Sequence, residues 1–130
     1  MKGTYNYYEL ESLHLYNGYL EYMNYLYLII HKYDKNISLK EAIEKQTISG
    51  LEYIIEYNKE RNNFEKLKLL NKLDAKLKVL KTLYRISRKQ KILNSRNYKA
   101  AAGKLSFINK NMLGCMKQCA SASKTVTTKN

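Results

Sequence analysis

Leu67-Lys68-Leu69-Leu70-Asn71-Lys72-Leu73-Asp74-Ala75-Lys76-Leu77-Lys78-Val79-Leu80-Lys81-Thr82-Leu83-Tyr84 is the stretch that decides the fold. Leu67, Leu70, Leu73, Leu77, Leu80 and Tyr84 recur at spacings of three and four, which puts them on one stripe of an α-helix. Held for nearly three heptads, such a stripe is the seam of helices packed at small crossing angles. Outward from it the spacing recurs three times. Leu13, Tyr16, Leu20, Met23, Tyr27 and Ile30 form a first seam, and Leu39, Ile43, Thr47, Gly50, Ile54 and Tyr57 a second. Tyr98, Ala101, Leu105, Ile108, Met112, Cys115 and Cys119 form a fourth.

The breaks between these segments are short and polar. Tyr33 to Ile37 is the first, after which Ser38 and Glu41 have the spacing of a capping box. Asn58 to Asn63 is the second, with Asn62 and Glu65 offering the same start. Lys91 to Asn97 is the third, with Asn94 or Ser95 as cap. Short connections make sequential helices antiparallel neighbours. The expectation is an all-α, antiparallel up-down-up-down four-helix bundle, one domain over residues 1–120. Ser121 to Asn130 reads as a disordered polar tail, and the first eight residues as loose. The chain has no proline, which permits long helices. Gly50, Gly103 and Gly114 fall inside helices, and Gly50 on its seam predicts close packing.

Charge divides the chain in two. Residues up to Glu65 carry seven basic and ten acidic side chains, net −3; from Lys66 onward there are 17 basic residues and one acid, Asp74, net +16. A merely solvated helix face alternates lysine with glutamate, because like charges one turn apart repel. Here a ridge of Lys68, Lys72 and Lys76 has no such partners, and the excess points to a polyanion. The candidate contact residues are Lys78, Lys81, Arg85, Arg88, Lys89 and Arg96; Lys91, Lys99, Lys104, Lys110 and Lys117 extend the surface. Lysine far outnumbers arginine, which favours phosphate contact over bidentate base reading and predicts salt-sensitive, weakly sequence-specific binding.

Little here suggests chemistry. Cys115 and Cys119 lie one turn apart, and His14 could approach Cys119, but a zinc site needs further ligands and a buried core pair is the better reading. His14 and His31 read as surface or boundary residues, and Asp74 as the partner of a nearby lysine or a polar contact at an interface. No phosphate-cradling glycine loop, nucleophile elbow or paired-carboxylate site is present. The expectation is a non-enzyme without a cofactor or metal. No apolar run approaches the ~20 residues that span a bilayer, so the reading is of a soluble, cytoplasmic protein without a membrane partner. Tyr19, Tyr22, Tyr25 and Tyr53 lie off the seams and predict an interface between copies.

Leu69-Leu70, Asp74, Leu77, Leu80 and Tyr84-Arg85, followed by Lys91-Ile92, Tyr98, Leu105, Ile108 and Met112-Leu113-Gly114, carry a resemblance. With Tyr25-Leu26-Tyr27 and Lys35 ahead of them, they resemble Avd, the accessory variability determinant of diversity-generating retroelements, over roughly residues 20–118. That family belongs to a wider group of small four-helix bundles that includes proteins encoded in 23S ribosomal RNA intervening sequences. The resemblance implies a basic homopentamer that binds a reverse transcriptase and its template RNA, supports mutagenic cDNA synthesis and performs no chemistry itself. It implies partner contact for Lys81 and Arg85. The alternative it leaves open is an intervening-sequence-type protein with a role near ribosomal RNA.

Overall fold

In the computed structural model, residues 7–129 are described, with side chains over residues 12–122. The residues expected to be loose at the start lie largely outside that range. Four helices follow one another: α1 (Tyr7–Ile29), α2 (Ile37–Lys59), α3 (Asn63–Lys89) and α4 (Ser95–Lys129). A 3-10 turn, Ile30–Tyr33, leads out of α1. α3 packs against α2 and α4, and α1 against α4, while α1 and α2 touch most sparsely. Neighbours in sequence are thus neighbours in space, the arrangement expected of an antiparallel four-helix bundle. Its 27-residue α3 is about 40 Å long.

The helix starts are set by asparagine. Asn62 Oδ1 accepts from the Glu65 amide at 2.9 Å, and Asn94 Oδ1 from the Asn97 amide at 2.8 Å. α2 departs from expectation: its cap is Asn36, whose Oδ1 accepts from the Leu39 amide at 3.1 Å, and Ser38 already lies inside the helix. The Glu60 carboxylate turns the chain from α2 into α3 by accepting from the Arg61 and Asn62 amides. α4 continues as helical backbone through the segment expected to be a tail. Nothing after Gly114 interrupts it, since no further glycine and no proline follows.

The seams of α2, α3 and α4 are buried as read, with only Leu67 and Tyr98 at their edges half-buried. The α1 seam is corrected. Its core residues are Leu15, Tyr19, Tyr22, Leu26 and Ile29, continued by Tyr33, whereas Tyr27 is 47% exposed. Tyr19 and Tyr22, expected at an interface, are fully buried. Tyr25 and Tyr53 are half-buried, under Lys104 and Lys72.

The buried tyrosines are held by hydroxyl partners across the bundle. Tyr19 donates to the Thr47 carbonyl oxygen at 2.6 Å. Tyr22 shares hydrogen bonds of 2.8 Å with Thr47 Oγ1 and with the Tyr84 hydroxyl. Tyr33 donates to Ser87 Oγ at 2.8 Å, and Ser87 donates onward to the Leu83 carbonyl. Tyr22 meets Tyr19 and Tyr84 edge to face. Paired buried hydroxyls cost little, whereas an orphaned one costs roughly 1–3 kcal/mol. The Thr47 and Ser87 positions in otherwise apolar seams therefore belong to the tyrosines they face.

Burial pushes the Tyr22 and Tyr33 phenols up to about 12, with hydrogen bonds to Thr47 and Tyr84, and to Ser87, opposing the rise. Burial raises Tyr19, Tyr57 and Tyr84 further. An unfolded phenol titrates near 10. Between pH 10 and 12 the unfolded chain therefore sheds protons that the folded one keeps. The stabilisation is complete below pH 10 and is lost as pH climbs through that window. Denaturant midpoints should fall steeply from about pH 10 to 12; a flat profile would contradict the buried phenol layer.

Candidate nucleic-acid interface

The cations of α3 take two sides of the helix because they follow the seam at different offsets. On the α2 side, Lys66 lies over the Tyr57 ring at 5.4 Å and Lys72 over the Tyr53 ring at 5.8 Å. Lys68 lies over Phe64 at 5.0 Å and 3.5 Å from the Glu65 carboxylate. Ring faces and a carboxylate partly answer these charges. Of the expected ridge of Lys68, Lys72 and Lys76, the first two thus have local partners.

The α4 side differs. Lys78, Lys81, Arg85, Arg88 and Lys89 are all exposed and line the groove between α3 and α4. Lys78 and Lys81 flank a recess of about 220 Å³ with Leu105, Ser106 and Asn109. Arg85, Arg88 and Lys89 surround a second recess of about 460 Å³ floored by Tyr98. The Arg88 guanidinium sits 5.5 Å from the Tyr98 ring centre. Tyr98 is thus half-buried and capped by a cation, while Tyr84 is in the core.

Among the described residues two ion pairs form, and both lie within α3. Asp74 Oδ2 accepts from Lys78 Nζ at 2.8 Å, so the one acid of the basic half answers Lys78, as its spacing suggested. Among the described residues, Lys81, Arg85, Arg88 and Lys89 have no acid within ion-pair distance, and no acid of α1 or α2 pairs with a cation of α3 or α4. Among the described residues the groove's positive charge is therefore answered by an acid at Lys78 alone. The opposite end of the bundle carries Glu56, Glu60 and Glu65 around a shallow recess with Lys59.

Of the six candidate residues, five come together in this groove. Arg96 does not line it: two residues before Tyr98, it faces the other way around α4. Lys104 belongs to the α1 side, over Tyr25. Lys32 escaped the sequence reading. It lies beside Arg88 and Lys91 at the bundle end, a proximity available from topology alone, because in an up-down-up-down bundle the first and third connections share an end.

Cys115 and Cys119 are buried and form no disulfide; burial raises the Cys119 thiol, with Lys66 and Tyr57 opposing. His14 is exposed. No group of three metal-ligating side chains gathers among the described residues, and none of their helices is long and apolar enough to cross a membrane. Compared with protein-family models, curated proteins and solved structures, the chain matches none.

Proposed function

We propose that this chain is a non-catalytic accessory subunit of a diversity-generating retroelement, one that engages a reverse transcriptase and its template RNA or cDNA through the α3–α4 groove. The observation that carries the reading is the run of Lys81, Arg85, Arg88 and Lys89, exposed and without an acidic partner among the described residues. A phosphate backbone supplies the missing negative charge and relieves the repulsion between neighbouring cations. The point-charge character of lysine suits backbone contact rather than base reading. The retroelement context comes from the resemblance to Avd.

Assembly into a homo-oligomer, a pentamer by the same resemblance, belongs to this proposal. Its support shifts from the tyrosines to other residues. Among the described residues, Tyr27 and Leu28 of α1 and Ile37, Ile48 and Ile55 of α2 are the exposed large apolar side chains on these two helices, the sequence neighbours that touch each other most sparsely.

Co-expression with the reverse transcriptase and template RNA of the same locus tests the reading. The expected result is a stable ternary complex by size-exclusion chromatography. Association with ribosomal RNA alone would favour the intervening-sequence alternative, and no association with either would remove the proposal.

A further inference from the structure

At the end of the groove the bundle carries a separate cleft of about 510 Å³. Three cations reach it from three stretches of backbone: Lys32 from the 3-10 turn after α1, Arg88 from the last turn of α3, and Lys91 from the α3–α4 connection. Asn94 and Ser95 add neutral polar groups, and no acidic residue lines it. None of the three cations is in an ion pair among the described residues. The surrounding frame is tied together, since Asn36 Nδ2 donates to Gln90 Oε1 at 2.9 Å and Tyr33 donates to Ser87 at 2.8 Å. The 3-10 turn and the end of α3 are thus held side by side.

Arg88 borders both this cleft and the recess floored by Tyr98, so the groove runs into the cleft without an intervening acid. We propose that the cleft holds the terminal phosphate of a nucleic-acid strand lying in the α3–α4 groove. This inference rests on the polyanion reading above. A phosphate monoester suits the cleft better than an internal diester. It carries about −1.5 to −2 charge and three acceptor oxygens, against three cations converging from separate directions.

Lys91 supplies a variant that separates binding from folding. Its backbone is left-handed, φ 61°, and the Ile92 amide donates to the Ser87 carbonyl at 2.9 Å in the pattern that ends a helix. Glycine is at home there, so Lys91→Gly removes a cation while leaving the turn at least as stable. Lys32→Ala removes a second cation from an exposed position.

The test is the affinity of the full chain for a short single-stranded RNA carrying a 5′-phosphate, a 3′-phosphate or hydroxyls at both ends. The parent protein should prefer one phosphorylated end by roughly five- to tenfold, the range of a few exposed ionic contacts. In the Lys32→Ala/Lys91→Gly protein that preference should vanish, with a smaller loss of affinity for the hydroxyl-ended strand than for the phosphorylated one and a melting temperature no lower than the parent's. Inorganic phosphate should erase the preference in the parent; a preference that survives saturating phosphate would place the recognition elsewhere. Equal parent affinity for all three strands overturns the inference and leaves the groove reading standing. Failure to bind any strand overturns both.

Discussion

Lys81→Glu/Arg85→Glu is expected to abolish binding of single-stranded RNA while the bundle stays folded. Both side chains are exposed, and neither has an ion-pair partner among the described residues, so reversing them breaks no ion pair. Each lost phosphate contact lowers the salt slope by about 0.7 on a single strand, and each introduced carboxylate repels the strand. Together they should reduce affinity on the order of 100-fold or more at low salt. The control is Lys66→Glu/Lys72→Glu on the α2 side of α3, where both cations lie over tyrosine rings. That pair carries the same change in net charge and should cost far less affinity. Equal losses from the two pairs would mean that net charge alone attracts RNA and that the groove is not a site.

The second large effect is on stability. A Cβ at Gly50 would overlap the Tyr19 hydroxyl and press on Leu73 Cδ1 at 3.4 Å. Gly50→Ala gains about 1 kcal/mol in helix propensity. It should lose more than that, because moving Tyr19 breaks its bond to the Thr47 carbonyl and overpacks a filled core, each worth about 1–3 kcal/mol. A net loss of about 2 kcal/mol is expected, and Gly50→Leu should fail to fold. Removing the hydroxyl supplies the check. In a Tyr19→Phe background most of the cost of Gly50→Ala should disappear, measured as a double-mutant cycle by denaturant unfolding. Additive costs would show that Gly50 matters for some reason other than Tyr19. By contrast, Gly103 faces open space, and Gly103→Ala should stabilise the protein by up to about 1 kcal/mol.

The contrast between helices explains what could be read in advance. α3 and α4 are mostly polar outside one stripe, with isolated exceptions such as Phe64, Val79 and Phe107, so their stripes of leucine, alanine, methionine and cysteine point to a single orientation. α1 keeps one exposed polar stripe, His14, Asn17, Glu21 and Asn24, and is apolar or aromatic over most of the rest. Leu20, Met23 and Tyr27 compete with Tyr19, Tyr22 and Leu26 for the inward position, and periodicity alone does not rank the two stripes. The deciding signal lay on the facing helices. Thr47, Gly50 and Ser87 interrupt apolar seams with small or hydroxyl-bearing residues, which call for large neighbours ending in a hydroxyl. Tyrosine meets that need, whereas leucine at the same place would leave Thr47 Oγ1 and Ser87 Oγ without the partners they have. The expected interface of Tyr19 and Tyr22 failed for the same reason.

The groove was legible from charge, because five candidate cations recur at offsets that bring them to one side of α3. Two further features needed three dimensions. The division of the basic residues between ring-covered lysines and open ones depends on where α2 places Tyr53 and Tyr57. The joining of Lys32 to Arg88 and Lys91 depends on the shared bundle end, and sequence separation conceals it.

The most direct measurement is the affinity of the protein for single-stranded RNA across a salt series. A groove with about four open cations predicts a linear fall of log affinity with log salt concentration, of slope near −3 at about 0.7 per phosphate. In the residual binding of Lys81→Glu/Arg85→Glu the slope should become shallower by about 1.4, two contacts at about 0.7 each. Absence of binding even at low salt, or an affinity indifferent to salt, would contradict the account.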